Sequence, residues 1–336
     1  MKGKVALLTA VGRVEIEEVN IDYSPRIDQG KVLVKMTSVG ICGSDIHYFD
    51  HGGLGSFKQP LPMPMGHEPA GIVYDSGTDS VFKPGSRVAI EPGFSCYHCS
   101  SCYSGKHNLC SHVEFMGANS PGALAEYCVL DEDQLISIPG NMSNDAAALM
   151  EPMGIAAHAF SLITLQYGSK IAVIGAGPIG LCVAIYAQRM GLKCVLVDVL
   201  KYRVEFARQQ GFEACLLGSE AIHYNTCDAV FDAAGSGDSF NISTKLCNNS
   251  ATVGIIGIPD ADYISVNPHT MRIKELRIQN VRRANQTLHK CVEHFSIDPA
   301  PLNKLVSHRY GLEDIQTAFE LVSDKKDEVI KCMIDC

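Results

Sequence analysis

Four cysteines crowd into one short stretch, Cys96, Cys99, Cys102 and Cys110, spaced C-x2-C-x2-C-x7-C. Four thiolates this close can surround a single zinc ion tetrahedrally, and such an all-cysteine site is closed to substrate and staples a loop. Two disulfides or an iron–sulfur cluster are the competing uses of four such thiols. His98, His107 and His112 lie nearby as substitute ligands or as ordinary loop residues. If the four sulfurs hold a structural zinc, a catalytic metal needs other ligands and an open position.

Three segments carry candidates for that second site: Gly40-Ile-Cys42-Gly-Ser44-Asp45, Met65-Gly-His67-Glu68 and Leu149-Met-Glu151-Pro152. Cysteine, histidine and carboxylate all ligate zinc, and a catalytic zinc has three protein ligands plus water. On spacing alone each residue also has a structural reading. Cys42 serves equally as a buried thiol, His67 as a hydrogen-bonded histidine, and Glu68 and Glu151 as surface or turn acids.

A third constellation begins at residue 170. Lys170–Ile174 reads as a strand, Gly175-Ala-Gly177-Pro178-Ile179-Gly180 follows, and a helix runs on to Gly191. A second strand, Cys194–Asp198, closes the pattern. Gly175 permits the tight turn, Gly177 admits a pyrophosphate to the backbone, and Gly180 lets the helix pack on the strand. The phosphates then meet the positive end of the helix. Asp198 stands where a carboxylate accepts hydrogen bonds from a ribose diol and repels a 2′-phosphate, so NAD(H) is expected rather than NADP. Lys201 and Arg203 soften that preference. The cofactor-binding candidates are Gly175, Gly177, Pro178, Ile179, Gly180, Asp198 and Arg203.

The elements around these sites divide the chain. Its 336 residues exceed one ordinary core. Residues 1–150 show short β-rich runs between Gly and Pro turns, which suggests a mostly antiparallel, barrel-like domain. From 169 onward strands and helices alternate: a helix at 202–210, a strand at 228–232, a helix at 238–247 and a strand at 251–256. That order implies a doubly wound parallel sheet, an α/β Rossmann domain, with a helix trimmed between 211 and 228. A net charge of −9 without a basic block argues against nucleic acid. No run of 18 apolar residues suggests a membrane span. The N-terminal text does not read as a signal peptide, and some of the 14 cysteines sit in apolar runs such as LCVAI and KCVLV, so a reducing, cytoplasmic setting is expected.

GICGSDIHYF, PMGHEPAGIV, the four-cysteine lobe, EPMGIAAHA and VIGAGPIG follow one another in this order. Together they resemble the zinc-dependent medium-chain alcohol dehydrogenases, more closely the polyol branch of sorbitol, xylitol and idonate dehydrogenases. The resemblance spans essentially the whole chain. It implies a GroES-like catalytic domain at 1–154 with a structural zinc lobe at about 93–112, a Rossmann domain at 155–279, and a segment 280–336 that completes the catalytic domain. It implies two zinc ions per chain: a catalytic zinc on Cys42, His67 and Glu68, with Glu151 binding directly or through water, and a structural zinc on Cys96, Cys99, Cys102 and Cys110.

The expected reaction is NAD-dependent oxidation of a polyol or sugar-acid secondary alcohol to a ketone, with Ser44, His47 and Glu151 as proton carriers. Butanediol and threonine are the alternative substrates, and a non-catalytic nucleotide-binding protein is the alternative class. Tyr48, Phe57 and Phe115 match pocket positions, and Arg282 matches an arginine of the branch's F-R-Y motif. Here the text is Val281-Arg282-Arg283. A second arginine, Arg283, either faces solvent or favours a carboxylate or phosphate on the substrate. Subunits of the family pair through an edge strand matching 251–267, so a homodimer or homotetramer is implied.

Overall fold

The computed structural model of the chain describes residues 1–26, 28–219, 222–259 and 261–336. They form two compact units, Met1–Glu151 with Asn285–Cys336, and Pro152–Ala284.

The first unit is built on a seven-stranded sheet whose central strand is Lys31–Gly40. This strand pairs antiparallel with Glu68–Ser76, Tyr127–Asp131 and Lys331–Asp335. Its β-branched residues Val32, Val34 and Val39 suit such a position, and they are fully buried. They join Met36, Met65, Val73, Ile90, Leu124 and Phe319 in one core, each large side chain contributing about 1.5–3 kcal/mol. The register sets Gly40 opposite Glu68 on one side and Met333 on the other. A tight turn follows. Cys42, in extended conformation, caps the helix Gly43–His51, which ends at Gly52 in the left-handed region. The Asp45 carboxylate accepts the Cys42 N–H at 2.9 Å, so the helix start is closed by its own third residue.

The second unit is a six-stranded parallel sheet in the order Glu213–Leu216, Lys193–Asp198, Lys170–Ile174, Cys227–Asp232, Cys247–Ile255, Arg277–Asn280. This is the doubly wound order in which the first strand lies inside the sheet. Between Glu213–Leu216 and Cys227–Asp232 no helix appears among the described residues. The strand expected at 251–256 begins earlier, at Cys247, because Ser250 in the left-handed region lets the pairing with Cys227–Asp232 resume after an irregularity. Residues 251–255 are interior to the sheet, and its edge here is Arg277–Asn280. The described residues from 256 to 267 lie outside the named strands.

Gly175 adopts φ +97° and Gly177 caps the helix Pro178–Arg189 with proline in its first turn. A Cβ on Gly180 would overlap the Gly175 carbonyl oxygen. The sheet and loop are therefore pressed together where only glycine fits. Among the described residues no helix is long and apolar enough to cross a membrane.

Candidate metal and nucleotide sites

The four cysteine sulfurs converge. Sγ–Sγ separations are 3.5 Å for Cys99–Cys102, 3.8 Å for Cys99–Cys110, 3.4 Å for Cys96–Cys110 and 4.0 Å for Cys96–Cys102. A tetrahedron of sulfurs each about 2.3 Å from a central zinc has edges of about 3.8 Å, which the observed range brackets. The separations exceed a disulfide bond of about 2.05 Å, and the space between them suits one ion rather than a cluster of irons. Backbone N–H groups of Cys102 and Ser111 pull the Cys99 thiol down to about 5. Burial, with the Cys99 and Cys110 sulfurs, pushes Cys102 up to about 12. Left alone the quartet ionises only in part, and a central divalent cation is what would ionise all four. His98, His107 and His112 stay out of the group. His98 Nδ1 meets Cys96 O at 2.6 Å instead. Asn285 ties the lobe down by accepting the His107 N–H and donating to Gly105 O, both at 3.0 Å.

The second constellation gathers around His67, which is buried. Its Nδ1 faces Asp45 Oδ1 at 3.4 Å and its Nε2 faces Ser44 Oγ at 3.2 Å. Burial alone would lower its pKa, but the Asp45 carboxylate and the Cys42 sulfur outweigh this and hold it well above the ordinary histidine value. Glu68, beside it, forms a buried ion pair with Lys331. Glu151 lies in the first turn of the helix Met150–Ser161. Burial pushes its carboxyl up to about 8; His67 and Lys331 pull the other way while Glu68 and Glu91 reinforce it. Asp45 Oδ1 faces His67 Nδ1 and Glu68 Oε2 faces Lys331 Nζ, while Glu151 Oε2 is buried with no donor. A buried carboxylate oxygen without a donor is rare and calls for a proton or a cation. The residues present therefore fit a metal ion. Their ligand atoms do not close to the spacing of the cysteine quartet, which is the one such group among the described residues. Glu68 is drawn toward Lys331.

Phe115 is buried with its ring 5.4 Å from the His67 ring. His47 is half-buried on the same helix as Ser44. Tyr48 is buried in the apolar core cluster of its unit. The Phe57 side chain lies outside the described residues. Arg282 is exposed, and Arg283 is half-buried with φ +57°.

At the glycine loop, Asp198 is buried and fixed by two backbone donors, Ala176 N at 2.7 Å and Leu200 N at 2.8 Å. Arg203 Nη1 stands 3.8 Å from Asp198 Oδ2, and 3.4 Å from where a Cβ on Gly177 would lie. A carboxylate and a guanidinium thus flank the loop, and Gly175 and Gly177 present no side chain to obstruct a phosphate while the Ala176 methyl is buried.

Sequence reasoning passed over Lys331, and gave Asp45 and Glu91 no role. The Glu91 carboxyl is enclosed although the residue is only partly buried overall. Burial raises it to about 7 against one backbone N–H, from Gly93, that pulls the other way. A raised acid keeps a proton in the folded state that the unfolded chain releases above about 4.5. Stability is then fully present below that pH and falls as pH rises through about 7. Glu91→Gln removes this loss. Its stability advantage over the parent should grow between pH 5 and pH 8, by about 3 kcal/mol at most. Urea unfolding at the two pH values measures it, and a difference independent of pH would contradict the enclosed-acid account.

Residues 28–140 match the family described as alcohol dehydrogenase GroES-like domain, and residues 178–296 that described as zinc-binding dehydrogenase. A sorbitol dehydrogenase of Bacillus subtilis is 32% identical, over 98% of this chain and 96% of its own. An L-threonine 3-dehydrogenase of Anaeromyxobacter is 31% identical over 89% of each. The solved L-idonate 5-dehydrogenase of Escherichia coli superposes with TM-score 0.92 over 100% of this chain and 99% of that one, at 23% identity, a likeness of fold. Matched in both halves and over nearly its whole length, the chain belongs to the zinc-dependent medium-chain alcohol dehydrogenase family, on its polyol dehydrogenase branch.

Proposed function

We propose that this protein oxidises a secondary alcohol of a polyol or sugar-derived acid to the ketone, reversibly, with NAD+ as hydride acceptor. The observation that carries the reading is the buried group of Asp45, His67, Glu68 and Glu151 beside Cys42, in which Glu151 Oε2 has no donor. Cys42, His67 and Glu68 would hold a catalytic zinc, with Glu151 as a direct or water-bridged fourth partner, and the cysteine quartet a second zinc. Zinc supplies a Lewis acid that makes an alcohol hydroxyl easier to ionise, and the nicotinamide supplies the hydride acceptor.

The chain's own residues do the rest. Asp45 holds His67 Nδ1 and so leaves Nε2 as the ligand nitrogen. Ser44 Oγ, beside that nitrogen, takes the proton leaving the substrate, and His47, three residues on along the same helix, passes it to solvent. Phe115 provides an apolar wall against His67. The fixed Asp198 carboxylate favours a free ribose diol over a 2′-phosphate. Gly175, Gly177, Pro178, Ile179 and Gly180 cradle the pyrophosphate, and Arg203 lies against it. Arg282 and Arg283 extend the substrate range to carboxylate- or phosphate-bearing polyols.

No disulfide joins the 14 cysteines among the described residues, in keeping with a reducing compartment. Exposed Ile258, Tyr263, Ile264 and Val266 support self-association through the region after Ile255.

A second reading, oxidation of threonine or a butanediol by the same site, is favoured by the likeness to threonine dehydrogenase. Purified protein assayed with NAD+ or NADP+ against sorbitol, xylitol, galactitol, idonate, galactitol phosphate, butanediol and threonine separates the two. The expected result is reduction of NAD+ by a polyol or its acid. Turnover confined to threonine or butanediol would reject the polyol assignment, and a preference for NADP+ would reject the role given to Asp198.

A further inference from the structure

Lys331 is almost wholly buried, with side-chain exposures of 1% for itself and 2% for its partner Glu68. Lysine is rarely enclosed to this degree without a specific partner. Here it has two. Its Nζ pairs with Glu68 Oε2 and donates to Ile41 O at 2.8 Å. Ile41 is the residue before Cys42, so one ammonium grips two of the segments that carry candidate metal ligands. The sheet is built for this. The central strand places Gly40 between the strands that carry Glu68 and Lys331. A Cβ on Gly40 would overlap Glu68 Oε2 and come within 2.7 Å of Lys331 Cε. The ion pair therefore crosses the sheet over a residue with no side chain. Ser307 Oγ accepts the Ile330 and Lys331 N–H groups at 2.9 and 3.2 Å, which fixes the backbone from which the lysine reaches.

We infer that Lys331 is a positioning residue of the metal site, holding Glu68 by a buried ion pair across Gly40 and competing with the metal for that carboxylate. The inference rests on the reading of Cys42, His67 and Glu68 as metal ligands. Its physical basis is charge. Glu68 Oε2 faces a fixed cation, so a divalent ion reaching the same oxygen must share it. A positive charge kept a few ångströms from a divalent ion in an enclosed site opposes that ion strongly. The lysine thus satisfies Glu68 when no metal engages it and keeps its engagement exchangeable when one does. A buried carboxylate left without either partner would destabilise the fold.

The test is zinc retention against a graded chelator in the full-length wild type, Lys331→Met, Lys331→Arg, Glu68→Gln and the double variant Glu68→Gln/Lys331→Met. Thermal midpoints of the metal-free proteins are read in parallel. Lys331→Met should hold the chelator-labile zinc about tenfold or more tighter than wild type. Its metal-free form should melt lower, and Lys331→Arg should return both toward wild type. In the Glu68→Gln background the effect of Lys331→Met on zinc should largely disappear, which a purely structural lysine would not produce. If Lys331→Met alone does not fold, the double variant, with both charges gone, should fold and again show no coupling of zinc affinity to position 331 relative to Glu68→Gln. Wild type that binds two zincs, with Lys331→Met unchanged or weaker in retention, would overturn the role of Lys331 alone. Wild type that binds only the cysteine-lobe zinc would overturn the metal reading and this inference together.

Discussion

Cys42→Ser is expected to remove one zinc per chain, leave the other in place, and lower kcat/KM by about 10³ or more, equivalent to roughly 4 kcal/mol of transition-state stabilisation. Serine isolates the metal role from the structural one. Cys42 caps the helix Gly43–His51, and its N–H is held by Asp45. Serine is a good residue at that position, so the helix start should survive. What is lost is a thiolate, for which a hydroxyl with a far higher pKa is no substitute. The thermal midpoint of the metal-free protein should therefore stay near that of the metal-free wild type. Zinc analysis, circular dichroism and steady-state kinetics on one preparation decide the matter. Activity within tenfold of wild type with one zinc missing would show that Cys42 does not carry the metal on which the chemistry depends.

The parts of this fold that could be read in advance were those set by neighbours in sequence. Strand, glycine turn, helix and second strand between 170 and 198 are legible because each glycine answers a local demand. Gly175 supplies a positive φ, and Gly180 leaves room for the Gly175 carbonyl. Four cysteines within one short loop are bound to meet, whatever they hold. The antiparallel unit is harder. Its short strands pair at long range, and their order depends on a register no local pattern announces. Lys331 shows why. In sequence it is a lysine opening a C-terminal strand, which reads as an edge charge. Only the pairing of Lys31–Gly40 with both Glu68–Ser76 and Lys331–Asp335 brings it to Glu68. Tyr48 is a second case in which burial is not legible in the local text. The family resemblance suggests the pocket for it, and the structure buries it in the core cluster of its unit. The strand expected from 251 starts at Cys247, because Ser250, in the left-handed region, is an irregularity inside the strand.

Cys110→Ser is expected to release the zinc of the cysteine lobe and open residues 93–112 to solvent. The lobe has little else to hold it. Its regular structure is the helix Ser100–Tyr103, a single turn His107–Leu109, and the two-residue strands Gly93–Phe94 and Glu114–Phe115. Pieces this short are not stable alone. Its larger side chains Tyr97, Tyr103 and Leu109 face water, Tyr103 at 80% exposure. Inside are the sulfurs, with Cys102 and Cys110 each 5% exposed. Zinc bound by four thiolates contributes about 10–16 kcal/mol in small zinc-finger peptides, and much of that is the folding of the segment itself. The cost to the whole chain is what remains after the lobe has opened. The Asn285 side chain, which holds His107 N and Gly105 O, then loses its partners. A loss of about 3 kcal/mol would lower the thermal midpoint by roughly 6–12 °C. Amide exchange and limited proteolysis should speed up at 93–112 well before they do in Lys31–Gly40. A Cys110→Ser protein that retains both zincs and the wild-type cleavage pattern would mean that packing, and not the metal, closes the lobe. Since the exposed side chains leave no apolar interior to do that, the first cuts are expected inside the lobe.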